Sequence, residues 1–207
     1  MDDGQIGIES GQEVLAAIRG RRSVGAVRAE RPPRHLIETV VEAGRWAPNH
    51  HLSEPWRFIV LAGAARDILG ASMADALADG LAGNGAEALD EQALARLLDR
   101  ERHKPLRAPV VIVVAVEPSS DPQIVPSEDV LAGAAAVQNM LLAAEAVGLA
   151  AIWRTGPAAY AGPVKAALDL SPTTHIIGFL YMGYPSGPAG QGERSNGHGQ
   201  TRWLGWE

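Results

Sequence analysis

The sequence contains no cysteine. A disulfide framework, a thiolate metal site and a thiol nucleophile are therefore all excluded, and a reducing cytoplasm is the expected setting. Positive charge is also short. The net charge is -6 at pH 7, whereas a nucleic-acid partner calls for a basic footprint. No apolar run approaches the roughly 20 residues that span a bilayer. The acidic start Met1-Asp2-Asp3-Gly4 lacks the basic and apolar regions of a signal peptide. There is no Gly-x-Gly-x-x-Gly fingerprint and no P-loop, which disfavours a Rossmann dehydrogenase or a nucleotide hydrolase. Ser-His-Asp catalysis lacks its nucleophile elbow. His35, His103, His175 and His198 form no metal motif, and the adjacent His50 and His51 have only Glu54 as a carboxylate close in sequence. The expectation is a soluble protein without a metal, a nucleic-acid partner or a membrane partner.

What is present is a chain of 207 residues, 46% hydrophobic, without internal repeat or linker. That suits one α+β domain over residues 1–207 with a substantial core. Residues 1–11 read as a loose lead-in. Val14, Leu15 and Ile18 then mark a helix ending at Gly20. A second helix opens at Pro33, presents Leu36, Ile37, Val40, Val41 and Gly44, and ends at Pro48. Trp56–Leu61 reads as a buried strand. Residues 64–82 and 86–104 read as two helices separated by Gly83-Asn84-Gly85. Ala108–Val116 is a nearly continuous apolar run, which predicts a central strand buried on both faces. Asp129–Val147 is apolar on nearly all sides, the pattern of a core helix, with Gly148 as its cap. Strands over 149–153 and 176–182 and a short helix over 163–168 follow. Residues 185–207 form a C-terminal extension whose aromatic end, Trp203-Leu204-Gly205-Trp206, predicts docking on the body or on a second chain.

The chain is organised around Arg45–Phe58. This stretch leaves a helix, breaks at Pro48, passes His50 and His51, breaks again at Pro55 and enters a strand. Loops carrying His, Trp and Arg between rigid elements are frequent sites of function. Arg21-Arg22-Ser23 follows the first helix and offers two guanidinium forks and a hydroxyl. That set matches phosphate oxygens, or else a solvated basic helix end. Trp153-Arg154-Thr155 sits at a strand end, where a tryptophan by itself is commonly core.

Taken together, Arg21-Arg22-Ser23, Ala47-Pro48, Pro55-Trp56-Arg57-Phe58, the Gly148–Gly156 segment and Ile177–Pro185 resemble the nitroreductase family of FMN-dependent oxidoreductases. The similarity runs over about residues 12–185, with the motifs in the expected order. The resemblance implies a mixed central sheet flanked by helices, in an intertwined homodimer with FMN at the interface. It implies hydride transfer from NAD(P)H to FMN and on to a nitroaromatic, quinone or similar acceptor, with no side chain as general acid or base. By the same resemblance, FMN is held by Arg21, Arg22, Ser23, Trp46, His50, Trp153, Arg154 and Thr155, and the nicotinamide cofactor lies near Ala143, Ala144, Glu145, Ala146, Val147 and Gly148. Arg22 or Arg154 would face N1/O2 of the ring, and Arg194 or Arg202 could assist the phosphate.

One departure stands out. Much of the wider family faces the flavin with an Asn and a Gln in the crossover, where this chain has Leu52 and Glu54. His50 is then expected to take over as donor, with Glu54 turned away or paired with Arg57. Three other readings stay open. These are a flavin carrier or sensor without turnover, a flavin-consuming or dehalogenating enzyme with residues 64–104 as a lid, and a helical interaction module without cofactor.

Overall fold

The computed structural model describes residues 3–84, 90–195 and 199–206. Four strands form one sheet: β1 (Trp56–Ala62), β2 (Val110–Val116), β3 (Ala150–Arg154) and β4 (His175–Gly183), in the order β1-β2-β4-β3. Every pairing is antiparallel, with Trp56 opposite Val116, Val110 opposite Met182 and Ala150 opposite Gly183. The expected mixed sheet is thus corrected to an antiparallel one within the chain. The continuous apolar run of β2 reports burial on two faces, and burial says nothing about strand direction.

Those two faces are distinct. Alternate β2 residues point to opposite sides. Val110, Ile112 and Val114 join Val137, Met140 and Leu141 of the helix α5 (Pro126–Ala146) and Ile37 and Val40 of α2 (Arg34–Arg45). Val111, Val113 and Ala115 join Leu69 and Met73 of α3 (Ala65–Asn84) and Val164 of α6 (Gly162–Ala167). The sheet is therefore a middle layer, and all seven β2 residues are buried.

The helix boundaries follow local chemistry. α1 begins at Asp3 and runs to Gly20, so the expected lead-in is helical from residue 3 onward. The apolar side chains Val14, Leu15 and Ile18 of α1 are exposed. Pro33 caps α2, and Pro126 opens α5 at its first turn. α5 closes at Gly148, whose φ of 77° is left-handed, while Leu149 N–H donates to Ala144 O at 2.8 Å. α5 is not apolar-buried all round as expected. Its outer side carries Leu131 at 67% exposure together with exposed Gln138 and Glu145. α3 continues through Asn84, and Gly85 of the expected separator lies outside the described residues, as do residues 86–89. α4 (Glu91–Arg102) starts at Asp90, whose carboxylate accepts Ala93 N–H at 2.7 Å. Asp90→Ala should therefore cost about 1 kcal/mol. The expected result is a melting midpoint lower by about 2–4 °C.

Candidate functional site

β3 ends by delivering Trp153, Arg154 and Thr155 to the rim of a cavity of about 390 Å³. Trp153 is held in place, because its indole N–H donates to Ile177 O at 3.1 Å across Gly178 of β4. Arg154 lies over the Tyr181 ring, 5.6 Å from its centroid. The floor and far wall come from Tyr181 and Phe179 of β4, from Met73 and Leu77 of α3, and from the segment after α4. That last segment contributes Arg107 and Lys104, and Lys104 pairs with Glu101 of the last turn of α4, Nζ and Oε1 lying 2.6 Å apart. Glu101 is only 8% exposed, so Lys104 offers a charge already partly matched. Burial pushes the Tyr181 hydroxyl up to about 12, against the lowering pull of the Arg154 and Arg107 charges. It is a neutral O–H donor at physiological pH.

Arg21–Ser23 lie on the strand-like segment that leaves α1 and runs beside β3. Val24 N–H donates to Ala151 O at 3.1 Å, and Arg28 N–H to Tyr184 O at 2.8 Å. Gly25 lies against Ile152 and the Arg154 guanidinium. The segment thereby links Arg21 and Arg22 at one end of β3 with Arg154 at the other. Arg22 Nη1 donates to Arg19 O at 2.6 Å and to Arg21 O at 2.9 Å. Arg21 Nη1 and Arg22 Nε are buried and have no hydrogen-bond partner among the described residues. A second cavity, of about 310 Å³, opens beside them, lined also by Glu145, Gly148 and Pro188. Of the segment expected to meet the nicotinamide cofactor, only Glu145 and Gly148 line it. Ala144 is buried in the core, Ala143 and Val147 pack against it, and Ala146 is exposed without lining the cavity. Gly192 of the C-terminal extension rests against the Arg22 guanidinium. Neither Arg194, whose Nη1 donates to its neighbour Glu193 O, nor exposed Arg202 lines either cavity.

The crossover lies elsewhere. Trp46 caps α2 and is 78% exposed, with its indole N–H donating to Glu42 Oε1 at 3.0 Å. His50 opens a single 3-10 turn, His50–Leu52, and its Nδ1 stands 3.7 Å from Glu128 Oε2. Ser53 Oγ donates to Asp129 Oδ1 at 2.7 Å. Both partners are in the first turn of α5, whereas Arg21 and Arg22 lie near Leu141 and Glu145 toward its end. The rise along α5 between Asp129 and Glu145 is roughly 24 Å at 1.5 Å per residue. Within one chain, then, the crossover does not face Arg21–Ser23, and the residues expected to hold FMN are divided between the two ends of α5. Of the two alternatives for Glu54, turned away or paired with Arg57, the structure has the first. Arg57 reaches Glu117 at 3.5 Å, while Glu54 is exposed and its N–H donates to Asn49 Oδ1.

Comparison with known proteins settles the family. The Nitroreductase family matches residues 18–184. The chain belongs to it. YdjA of Escherichia coli (strain K12), which bears an NAD(P)H nitroreductase name, is 30% identical over 173 residues, covering 84% of this chain and 88% of YdjA. Among solved structures, a nitroreductase-like family protein from Bacillus cereus superposes with a TM-score of 0.78 at 23% identity, over 93% of this chain and 96% of that one. A nitroreductase from Desulfovibrio desulfuricans, solved in complex with FMN, superposes with a TM-score of 0.69 at 27% identity, over 94% and 98%.

In this nitroreductase the residues that sequence reading missed are Glu101, Lys104, Arg107 and Tyr181. All four line the same cavity as Trp153–Thr155. A signal for one pair was present: Glu101 and Lys104 stand three apart where α4 gives way to the turn before β2. No helix among the described residues is long and apolar enough to cross a membrane.

Proposed function

We propose that this chain is an FMN-dependent oxidoreductase that draws hydride from NAD(P)H and passes it to a nitroaromatic, quinone or similar small acceptor. The observation that carries the reading is the pair of buried, partnerless guanidinium nitrogens, Arg21 Nη1 and Arg22 Nε. Buried donors are almost always satisfied, and an uncompensated one is costly. A phosphate group completes both, since guanidinium forks match its oxygens. The residues present therefore fit FMN. When bound, FMN supplies the acceptance of hydride from a nicotinamide and its delivery to the acceptor.

The remaining roles fall to side chains. Arg21, Arg22 and Ser23 hold the phosphate end. Trp153, Arg154 and Thr155 form the wall toward the ring. Arg154, Arg107 and Lys104 place positive charge around the cavity, and neutral Tyr181 adds a donor at its floor. Of the 143–148 segment, only Glu145 and Gly148 line the cavity beside Arg21 and Arg22, which supports a nicotinamide role for those two rather than for the four alanine and valine members.

Trp46 and His50 join the site in a homodimer. A second copy running antiparallel along α5 would bring its first turn beside the last turn of this one, so Trp46 and His50 would come from the partner subunit. The uncovered Leu131 on α5 and the exposed Val14, Leu15 and Ile18 on α1 supply apolar surface for that contact. The cysteine-free composition suits action in the cytoplasm. The test is a visible spectrum of the purified protein followed by anaerobic NADPH. A flavin spectrum that bleaches on NADPH and returns with a quinone is the expected result. Failure to take up added FMN would overturn the reading, and a flavin spectrum that NADPH leaves unchanged would point to a carrier.

A further inference from the structure

We propose that Asp129 is a positioning residue for the flavin site: through Ser53 it clamps the crossover loop in the strained form that presents His50. The inference rests on the reading of His50 as a cofactor contact.

The loop is strained by its own backbone. His51, Leu52 and Glu54 have φ of 53°, 53° and 41°, three left-handed residues among four, and none is glycine. Such conformations are unfavourable for residues carrying a Cβ, and they persist only where surrounding bonds over-determine them. Several of those bonds are local. Asn49 Oδ1 accepts Glu54 N–H at 3.1 Å, Asn49 Nδ2 donates to Ala47 O at 3.4 Å, and Ser53 N–H donates to His50 O at 3.1 Å. These bonds shape the loop but do not fix it on the molecule.

The fixing bond is Ser53 Oγ to Asp129 Oδ1 at 2.7 Å, which joins positions 76 apart in sequence. Asp129 is 1% exposed. Its other oxygen, Oδ2, accepts Ser119 N–H at 2.8 Å from the loop that follows β2. Among the described residues no Lys or Arg lies within ion-pair distance of it, so a buried carboxylate is held by two donors and by the positive end of α5. Packing alone would be served at least as well by an apolar side chain there, because burying an unpaired charge is unfavourable. What the carboxylate adds is direction: it pins the crossover, the loop after β2 and the first turn of α5 at one point. The neighbouring Glu128 of the same turn stands 3.7 Å from His50 Nδ1, so the pinned turn also places a carboxylate beside the imidazole.

The experiment uses the full-length protein and Ser53→Ala, with Ser53→Thr as the variant that keeps the hydroxyl. Ser53 is only partly buried, so its loss leaves the core intact. Two readouts are taken. Hydrogen exchange of the FMN-free protein should be at least about tenfold faster at residues 49–54 in Ser53→Ala, with the wild-type rate restored in Ser53→Thr. FMN titration should show affinity lower by about tenfold in Ser53→Ala, with little further loss when the substitution is made in a His50→Ala background. Unchanged exchange at 49–54 overturns the clamp whether or not FMN binds. Equal losses of affinity in the presence and absence of His50 also overturn it, because a merely structural bond gives additive effects. Failure of the wild-type protein to bind FMN, with exchange at 49–54 accelerated as expected, would instead sink the cofactor reading and leave the clamp standing.

Discussion

Arg22→Ala weakens FMN binding by about 1.5–3 kcal/mol, the range for a hydrogen bond to a charged group. In a titration of the FMN-free protein that is roughly a ten- to hundredfold rise in Kd. The expectation follows from how the side chain is used. Nη1 is already engaged, closing the last turn of α1 on Arg19 O and Arg21 O. Those bonds set the direction of the guanidinium, while Nε stays buried and unmatched. A guanidinium held by the fold, with its Nε–H unmatched among the described residues, is prepared for an anion, and little side-chain entropy remains to be lost when the anion arrives. Arg22→Lys should recover only a small part of the loss, because a lysine has no Nε–H at that depth and cannot bridge two oxygens in a plane. Without FMN, both variants should keep their secondary structure and lose about 1–3 kcal/mol of stability from the two carbonyl bonds. A wild-type Kd in Arg22→Ala would remove Arg22 from the site.

The strands were legible because apolar runs with β-branched residues have few other uses in a chain of this composition. β2 was the clearest, and its even burial follows from two helical layers, one on each face. Strand direction was not legible. The connection through α3–α4 returns β2 antiparallel to β1, while α5 carries the chain over β4 to β3, which runs the same way as β2 so that β4 fits antiparallel between them; no residue in β1, β2 or β4 encodes that choice. α1 was cut short at Gln12 because the glycines and acids before it lack an apolar stripe, yet the helix continues to Asp3.

The site was legible in pieces. Arg21–Ser23 and Trp153–Thr155 are united by a segment lying along β3, which sequence order concealed. Trp46 and His50 stand toward the far end of α5, a separation within one chain that the motif order does not reveal. Lys104 and Glu101 were hidden because charged residues near a helix end ordinarily face solvent, and only the closeness of α3 turns them inward.

Gly178→Ala is expected to damage stability and cofactor binding together. Gly178 sits in β4 opposite Val114, beside the register shift that separates Val114 from Ala115. A Cβ at that position would run into the Trp153 indole and approach Arg154 O at 2.8 Å. The indole cannot simply swing aside, because its N–H is bonded to Ile177 O in the neighbouring peptide. The substitution therefore combines overpacking with a lost hydrogen bond, about 2–4 kcal/mol in urea or thermal unfolding. The functional effect reaches further than stability. Displacing Trp153 and the Arg154 carbonyl moves Arg154 off Tyr181 and reshapes the cavity rim that all three share. FMN binding should fall below detection at concentrations where the folded fraction is still high. The double variant Gly178→Ala with Trp153→Ala separates the two effects. Removing the indole should restore part of the stability, since the new methyl group then meets only the backbone oxygen, but it should not restore FMN binding, because the wall toward the ring is gone. Recovery of both together would mean that Trp153 packs the edge of the sheet and has no part in holding the cofactor.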